Sequence, residues 1–522
     1  MTVARRLTAL LLLVLSALLG GCSALPPLDG RSESHALPPH EAQHTRLGQK
    51  LSPLTHQHPK RSGIIPLADG HQAFAVRMQL AEVAEQTLDI QYYLWKKDLT
   101  GTLLLEALRE AAERGVRVRL LLDDNHALGL DPVLHALNQH PQIQIRLFNP
   151  FVVRSSRTMG FITDFPRANR RMHNKAFTVD NQVTIIGGRN IGDEYFAAAD
   201  GLLFADLDVL AIGPVVQAVS ADFDRYWMSD SSYPAELMLA TTHEYELRDL
   251  VQEAVAALRQ PEATDYATAL HLTPYITDLL QDKITFTWAP TRMISDDPAK
   301  GLGLAEPEAL IATQLEEITG GAEHSLDLVS PYFVPTASGV AALSELASRG
   351  VRIRILTNSL EATDVAWVHV GYAKRRKALL RAGITLFETR RLQPKPDSGK
   401  EKRERSTGPF GSSGSSLHAK TFAVDGKRVF VGSFNFDPRS TDLNTELGFV
   451  MESPYLAEHI ASAFEHNIPN NAYQVKLDEQ GRLYWLEWHD GKLIHHRSEP
   501  GTGFWRRLGI RAASWLPIEW LL

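Results

Sequence analysis

"MHNKAFTVD", running from Met172 to Asp180, returns as "LHAKTFAVD" from Leu417 to Asp425 in a chain of 522 residues. Continued downstream, both copies obey one spacing, H-x-K-x4-D-x6-G-[GS]-x-N. The first comprises His173, Lys175, Asp180, Gly187, Gly188 and Asn190, and the second His418, Lys420, Asp425, Gly432, Ser433 and Asn435. Five fixed positions, each matched about one time in twenty, arise by chance on the order of once in 10⁴ chains, and a second copy is far rarer.

The duplication extends upstream. "LDIQYYLW" (Leu88–Trp95) has the apolar content of a strand, Thr100–Arg114 the spacing of an amphipathic helix closed by Gly115, and "VRVRLLL" (Val116–Leu122) that of a second strand. "LDLVSPYFV" (Leu326–Val334), a helical stretch ending at Arg349–Gly350 and "VRIRIL" (Val351–Leu356) repeat that order with the same "RGVR" joint. Two copies of one α/β unit are therefore expected. A basic loop containing Gly, Ser or Pro leads into each phrase, residues 154–172 and 394–417, and the second is a candidate lid beside His418.

The spacing carries chemistry. In a strand, residues two apart share a face, so each copy presents an imidazole beside an ammonium group. Asp180 and Asp425–Gly426 turn the chain, and the returning strands deliver small residues and an asparagine. Gly188 and Ser433 are expected to let backbone N–H groups approach an anion, with Asn190 and Asn435 as amide donors. Two such halves around one phosphate suit phosphoryl transfer with no metal or other cofactor. One histidine attacks phosphorus, the other protonates the leaving alcohol and then deprotonates the acceptor, and the lysines stabilise the non-bridging oxygens.

Each imidazole needs a carboxylate behind it to fix its tautomer. Aligning "DLDVLAIGP" with "ELGFVMESP" nominates Asp206 and Glu446, each eight residues before a proline, Pro214 and Pro454. The candidate catalytic set is His173, Lys175, Asp180, His418, Lys420 and Asp425, the two aspartates being read as supports at turns rather than as acids or bases.

The doubled phrase resembles the phospholipase D superfamily, and the resemblance covers nearly all of residues 66–470. It implies two units, each a mixed sheet flanked by helices, related by a pseudo-twofold axis with the active site at their junction and a covalent phosphohistidine intermediate. "RNIGDEYF" (Arg189–Phe196), "NFDPRS" (Asn435–Ser440), "NTE" (Asn444–Glu446) and the closing "LPIEWLL" are similar to bacterial cardiolipin synthases, the C type above all. That implies transfer of a phosphatidyl group from phosphatidylethanolamine or phosphatidylglycerol to phosphatidylglycerol. By the same resemblance His173 is the nucleophile and His418 the acid and base. Hydrolysis by the same chemistry is the alternative, because water can replace the acceptor alcohol.

Net charge is -7 and the pI about 6.3, so no nucleic-acid partner is expected, and the sequence points to no obligatory protein partner. Residues 1–21 read as a signal peptide: Arg5 and Arg6, an apolar run from Leu7 to Leu19, then "LGGC" ending at Cys22, the sole cysteine. The pattern resembles a bacterial lipoprotein signal, which implies an acylated Cys22 and a periplasm-facing protein of the cell envelope. Ser23 favours the outer membrane by that resemblance, with the inner membrane left open. The expected organisation continues with a flexible tether (22–65), unit 1 (66–235), a helical connector (236–300), unit 2 (301–470), and a β-hairpin followed by a candidate membrane-interface tail (471–522). Three tryptophans with Arg506, Arg507 and Arg511 in "FWRRLGIRAASWLPIEWLL" motivate the tail.

Overall fold

The computed structural model describes residues 25–519 apart from 128, 155, 197–205, 241–243, 262, 265, 267, 269–273, 282, 392–416, 490 and 516–518. Cys22, all of the candidate lid except Leu417, and most of "LPIEWLL" lie outside the described residues.

Unit 1 is built from β1 (Ser62–Leu67), β2 (Thr87–Tyr92), β3 (Arg117–Asp123), β4 (Ile143–Phe148), β5 (Ala176–Val179), β6 (Val183–Gly187), β7 (Asp208–Ile212), β8 (Ser232–Pro234) and β9 (Thr287–Ala289). Unit 2 follows with β10 (Thr291–Ser295), β11 (Ser325–Val329), β12 (Arg352–Asn358), β13 (Thr385–Thr389), β14 (Thr421–Val424), β15 (Arg428–Gly432) and β16 (Leu447–Glu452). Its sheet is extended by β17 (Ala472–Leu477), β18 (Leu483–His489) and β19 (Lys492–His496).

The strand orders are β8-β4-β3-β2-β5-β6-β7-β1-β9 and β10-β16-β15-β14-β11-β12-β13-β17-β18-β19. Within them, β1-β7-β6-β5-β2-β3-β4 and β10-β16-β15-β14-β11-β12-β13 are the same arrangement. In each, three strands run parallel and the hairpin that follows the motif joins antiparallel to the first of them.

The inner faces of both sheets close on one shared core. Ala176, Ile186 and Val209 of unit 1 belong to the same cluster as Val329, Ala419, Val431 and Phe449 of unit 2. Helices such as Gly70–Val83 and Leu99–Glu113 cover the outer face of unit 1, and Ala337–Ser348 and Ala366–Arg381 that of unit 2. Covered on both sides, β2 (TLDIQY) and β3 (RVRLLLD) are buried almost throughout, although β2 alternates polar and apolar residues, so its polar side chains are buried as well.

The charged residues inside those runs pair across neighbouring parallel strands. Arg119 Nε donates to Asp89 Oδ1 at 2.6 Å, and Arg354 Nε to Asp327 Oδ1 at 2.6 Å. Removing one partner of such a buried pair costs about 3–5 kcal/mol, so both copies keep both residues.

Three expectations about organisation are corrected. The segment expected to be a tether is folded from the first described residues onward. Leu47 and Leu51 of helix Arg46–Gln57 sit in the core of unit 1, Arg31 donates to Ser229 O at 2.7 Å, and Ala36 N donates to Asp224 Oδ2 at 2.9 Å. The Pro, His and Gln content concealed two leucines spaced one helical turn apart.

The connector is helical only in part, over Leu247–Ala257 and Tyr275–Leu280, and it ends in β9 and β10, one strand for each sheet. Unit 2 accordingly opens at Thr291 and unit 1 at Ser62, each earlier than the sequence suggested. The expected hairpin exists as β17–β18, but it is not a separate appendage: β17 pairs with β13 and extends the second sheet.

Candidate active site

His173 and Lys175 lie in the extended segment just before β5, and His418 and Lys420 in the one just before β14. Because β5 and β14 run antiparallel to β2 and β11, these segments sit by the carboxyl ends of the parallel strands, where open α/β sheets bind ligands. The segments were expected to be strands of their own sheet. Instead His173 N donates to Thr445 O at 2.8 Å and Thr445 N donates to Arg171 O at 2.9 Å, so the first motif pairs with the other unit.

The carboxylates cross the same boundary. His173 Nδ1 is 2.8 Å from Glu446 Oε2, and His418 Nδ1 is 2.7 Å from Asp206 Oδ2. Each unit therefore orients the other unit's histidine, holding the proton on Nδ1 and leaving Nε2 as the reactive nitrogen. Lys175 Nζ and Lys420 Nζ each donate to the carbonyl of their own motif histidine at 2.5 Å. Both lysines are buried, and burial pushes Lys175 well below and Lys420 below the ordinary lysine range, a shift that an anion placed between them opposes.

Gly188 and Ser433 do something other than expected. Their N–H groups already donate, to Leu207 O at 3.2 Å and Leu447 O at 2.9 Å, so neither is offered to an anion. They serve the carboxylates instead. A Cβ on Gly188 would stand 2.1 Å from Asp206 Oδ1, so only glycine leaves that carboxylate its place. Ser433 Oγ donates to Glu446 Oε2, and Ser440 Oγ donates to Glu446 Oε1 at 2.7 Å. Asn190 and Asn435 are buried, and their amide oxygens have no hydrogen-bond partner among the described residues.

Asp180 and Asp425 do not join the catalytic cluster; they act at the far end of the hairpin. Asp180 accepts from Gln86 N at 2.8 Å and Thr87 N at 2.9 Å, and Asp425 from His324 N at 2.7 Å and Ser325 N at 2.9 Å. Each aspartate sits at positive φ (49° and 54°) in its turn and clamps the hairpin to the start of β2 or β11. The motif aspartate thus sets the register that places histidine and lysine, and Asp is among the few residues that tolerate that backbone.

Electrostatics break the twofold symmetry. Burial, then the charges of Lys175, Lys420 and His418, push His173 well below the ordinary histidine range. His418 is also lowered by burial and by Lys420, but Asp206 opposes the shift. Burial alone would raise Asp206; His418, Arg189 and Lys420 more than offset it and hold the group ionised. Glu446, by contrast, is raised to about 7 by burial, with Lys175, Ser433 and Ser440 acting the other way. Of the two, His173 is held neutral the more strongly, and His418 is the better able to carry a proton.

Several further residues reach the site, two of them inside the quoted stretches "LDIQYYLW" (Tyr93) and "RNIGDEYF" (Tyr195), which gave them no role. Tyr93 packs edge-on to His173 at 4.8 Å between ring centres, and Tyr195 edge-on to His418 at 5.2 Å. His126 Nε2 meets Tyr93 Oη at 2.7 Å. Behind Glu446, its backbone N–H donates to Asp296 Oδ2 at 2.9 Å, and Lys300 Nζ pairs with that same oxygen at 3.0 Å. Among the described residues no group of three or more His, Cys, Asp or Glu could hold a metal ion.

Comparison with known proteins follows this geometry. Residues 78–227 and 315–468 each match the family model described as "Cardiolipin synthase, PLD-like domain". The chain belongs to the phospholipase D superfamily. It is 50% identical over 477 residues to cardiolipin synthase C of Escherichia coli K12, covering 91% of this chain and 100% of that protein. It is 24% identical over 430 residues to a cardiolipin synthase of Staphylococcus aureus, covering 81% of this chain and 70% of that protein. Among solved structures, phosphatidylserine synthase of Haemophilus influenzae aligns with a TM-score of 0.53 at 12% identity over 90% of this chain and 100% of that one, a likeness of fold.

In this phospholipase D-superfamily enzyme the reactive form needs Glu446 as a carboxylate accepting from Nδ1–H. A protonated Glu446 would donate to Nδ1 and move the ring proton to Nε2. Activity should therefore rise with pH along an acid limb whose apparent pKa belongs to the coupled His173–Glu446 pair. Ser433→Ala removes a hydroxyl that favours the carboxylate and should move that limb of kcat to higher pH, whereas an unmoved limb in the pH–rate profile would mean that Ser433 does not tune Glu446.

Proposed function

We propose that this protein makes cardiolipin by moving a phosphatidyl group from phosphatidylethanolamine or phosphatidylglycerol to phosphatidylglycerol. The observation that carries the reading is the pair of histidines, His173 buried and His418 half-buried, each oriented by the opposite unit's carboxylate and flanked by a buried lysine, in a chain similar to cardiolipin synthase C over 91% of its length.

His173 Nε2 attacks the donor phosphorus, an N–P bond forms, and the P–O bond to the headgroup breaks as His418 gives that oxygen its proton. The acceptor hydroxyl then loses its proton to His418 and attacks phosphorus, the N–P bond breaks, and His173 is restored. Lys175 and Lys420 stabilise the charge gathering on the non-bridging oxygens, the part a divalent ion plays in other phosphoryl-transfer sites.

Purified protein in vesicles of both phospholipids should form cardiolipin, read by lipid mass spectrometry, and should do so equally in EDTA. Phosphatidic acid as the only product would identify a hydrolase, and loss of activity restored by a divalent ion would overturn the metal-free mechanism.

The division of labour has its own test. His418→Asn leaves the nucleophile intact but cannot deprotonate the acceptor, so it should accumulate a phosphatidyl adduct on His173 when the donor's leaving alcohol is good. His173→Ala should accumulate none. Intact-mass and peptide-mapping spectrometry that finds the adduct on His418 would reverse the two roles.

The protein works at the cell envelope, held by acylated Cys22. The "LGGC" sequence supports this, together with a C-terminal helix, Phe504–Ala513, whose Phe504 and Trp505 are exposed beside Arg506 and Arg507. No helix among the described residues is long and apolar enough to cross a membrane. Cys22→Ser should release much of the protein from membranes, and the remaining binding to anionic vesicles should fall on Trp505→Ala with Trp515→Ala. Full retention of Cys22→Ser on membranes in cell fractionation would remove the lipid anchor from the account.

A further inference from the structure

A transferase must keep water from a phosphohistidine. Bulk water is ~55 M, so an acceptor alcohol prevails only if it is held with a higher effective concentration at phosphorus. Donor chemistry alone does not provide this, and the twofold symmetry of the motifs suggests no place for it.

Unit 1 carries a cleft of about 440 Å³ lined by Trp95, Lys96, Lys97, Asp98, Asn125 and His126. Two of its walls lead to the two histidines. On one side, His126 bonds to Tyr93, which packs against His173. On the other, Lys96 N donates to Ile191 O at 2.9 Å, Asp98 accepts from Asp193 N at 2.8 Å, and Lys96 pairs with Glu194, all in the short segment that presents Tyr195 to His418. One side chain, Tyr93, stands between the cleft and His173, and one, Tyr195, between its other wall and His418.

Its lining is a set of hydroxyl-binding groups beside cations. His126 Nε2 meets both Tyr93 Oη and Asn125 Nδ2, at 2.7 and 3.0 Å. Burial, then nearby Arg157, Arg171 and Lys175, push His126 down to about 4, so at neutral pH it is an uncharged hydrogen-bonding ring. Lys96 and Lys97 stand at the rim in ion pairs with Glu194 and Glu253, solvent-screened pairs that an anion can displace. A liquid water takes about 30 Å³, so the volume admits a polyol headgroup with its phosphate.

We propose that this cleft is the acceptor pocket: it holds a glycerol-type polyol headgroup by Asn125 and His126 and the headgroup's own anionic phosphodiester by Lys96 and Lys97. The assignment rests on the phosphatidyl-transfer reading above and says how that transfer defeats hydrolysis. With the headgroup seated, its primary hydroxyl lies where water would attack. The hydroxyl proton passes to His418 Nε2, the oxygen bonds to phosphorus, and the phosphorus–His173 bond breaks with its electron pair returning to Nε2.

The partition of the intermediate tests this. Full-length protein is given vesicles of isotope-labelled phosphatidylethanolamine and unlabelled phosphatidylglycerol, and labelled cardiolipin and labelled phosphatidic acid are counted by mass spectrometry. His126→Phe and Asn125→Ala should each lower the cardiolipin to phosphatidic acid ratio about tenfold, and Lys96→Ala should raise KM for phosphatidylglycerol but not for the donor. Because His126 reaches His173 through Tyr93, a merely structural lesion would slow both products alike and leave their ratio unchanged. An unchanged ratio and KM in all three variants, with wild type still making cardiolipin, overturns the pocket alone. Wild type yielding labelled phosphatidic acid and no cardiolipin overturns the transfer reading and the pocket with it.

Discussion

Two hydrogen bonds, His173 to Glu446 and His418 to Asp206, tie the chemistry to the architecture. An imidazole serves as a nucleophile or as an acid only when its second nitrogen is held, and here the holding group always belongs to the other half of the molecule. A single unit would expose a buried carboxylate without its partner and a histidine free to take either tautomer. The shared core of inner-face residues brings the sheets together, and the crossed pairs make that packing a condition of reactivity.

The same exchange leaves room for the halves to diverge. The Gly188–Asp206 side is cramped and ionic, with the carboxylate filling the space a side chain would need. The Ser433–Glu446 side is reached by hydroxyls and has the more readily protonated acid. Two copies of one phrase thereby give one site with two unlike ends, which is what a reaction needing a base and an acid at once demands.

The repeat, the strand–helix–strand order and the positions of both carboxylates were legible because each is local, a matter of spacing along the chain. What the sequence hid was non-local. Nothing in "DLDVLAIGP" or "ELGFVMESP" tells which histidine its carboxylate will meet. The backbone N–H groups of Gly188 and Ser433 looked available until their sheet partners were known. Leu47 and Leu51 stand in a polar segment, where two leucines make no periodicity by themselves. Tyr93, His126 and Tyr195 are far apart in the chain, and only folding sets Tyr93 with His126 beside His173 and Tyr195 beside His418.

Only Pro290 separates β9, the last strand of the first sheet, from β10, the first of the second. From Ala289 to Thr291 such a joint reaches at most ~7 Å, so at this edge the two sheets cannot separate further without unzipping a β-ladder. The joint fastens the sheets at one edge and the shared core fastens their faces, so the crossed histidine–carboxylate pairs form between halves held in register.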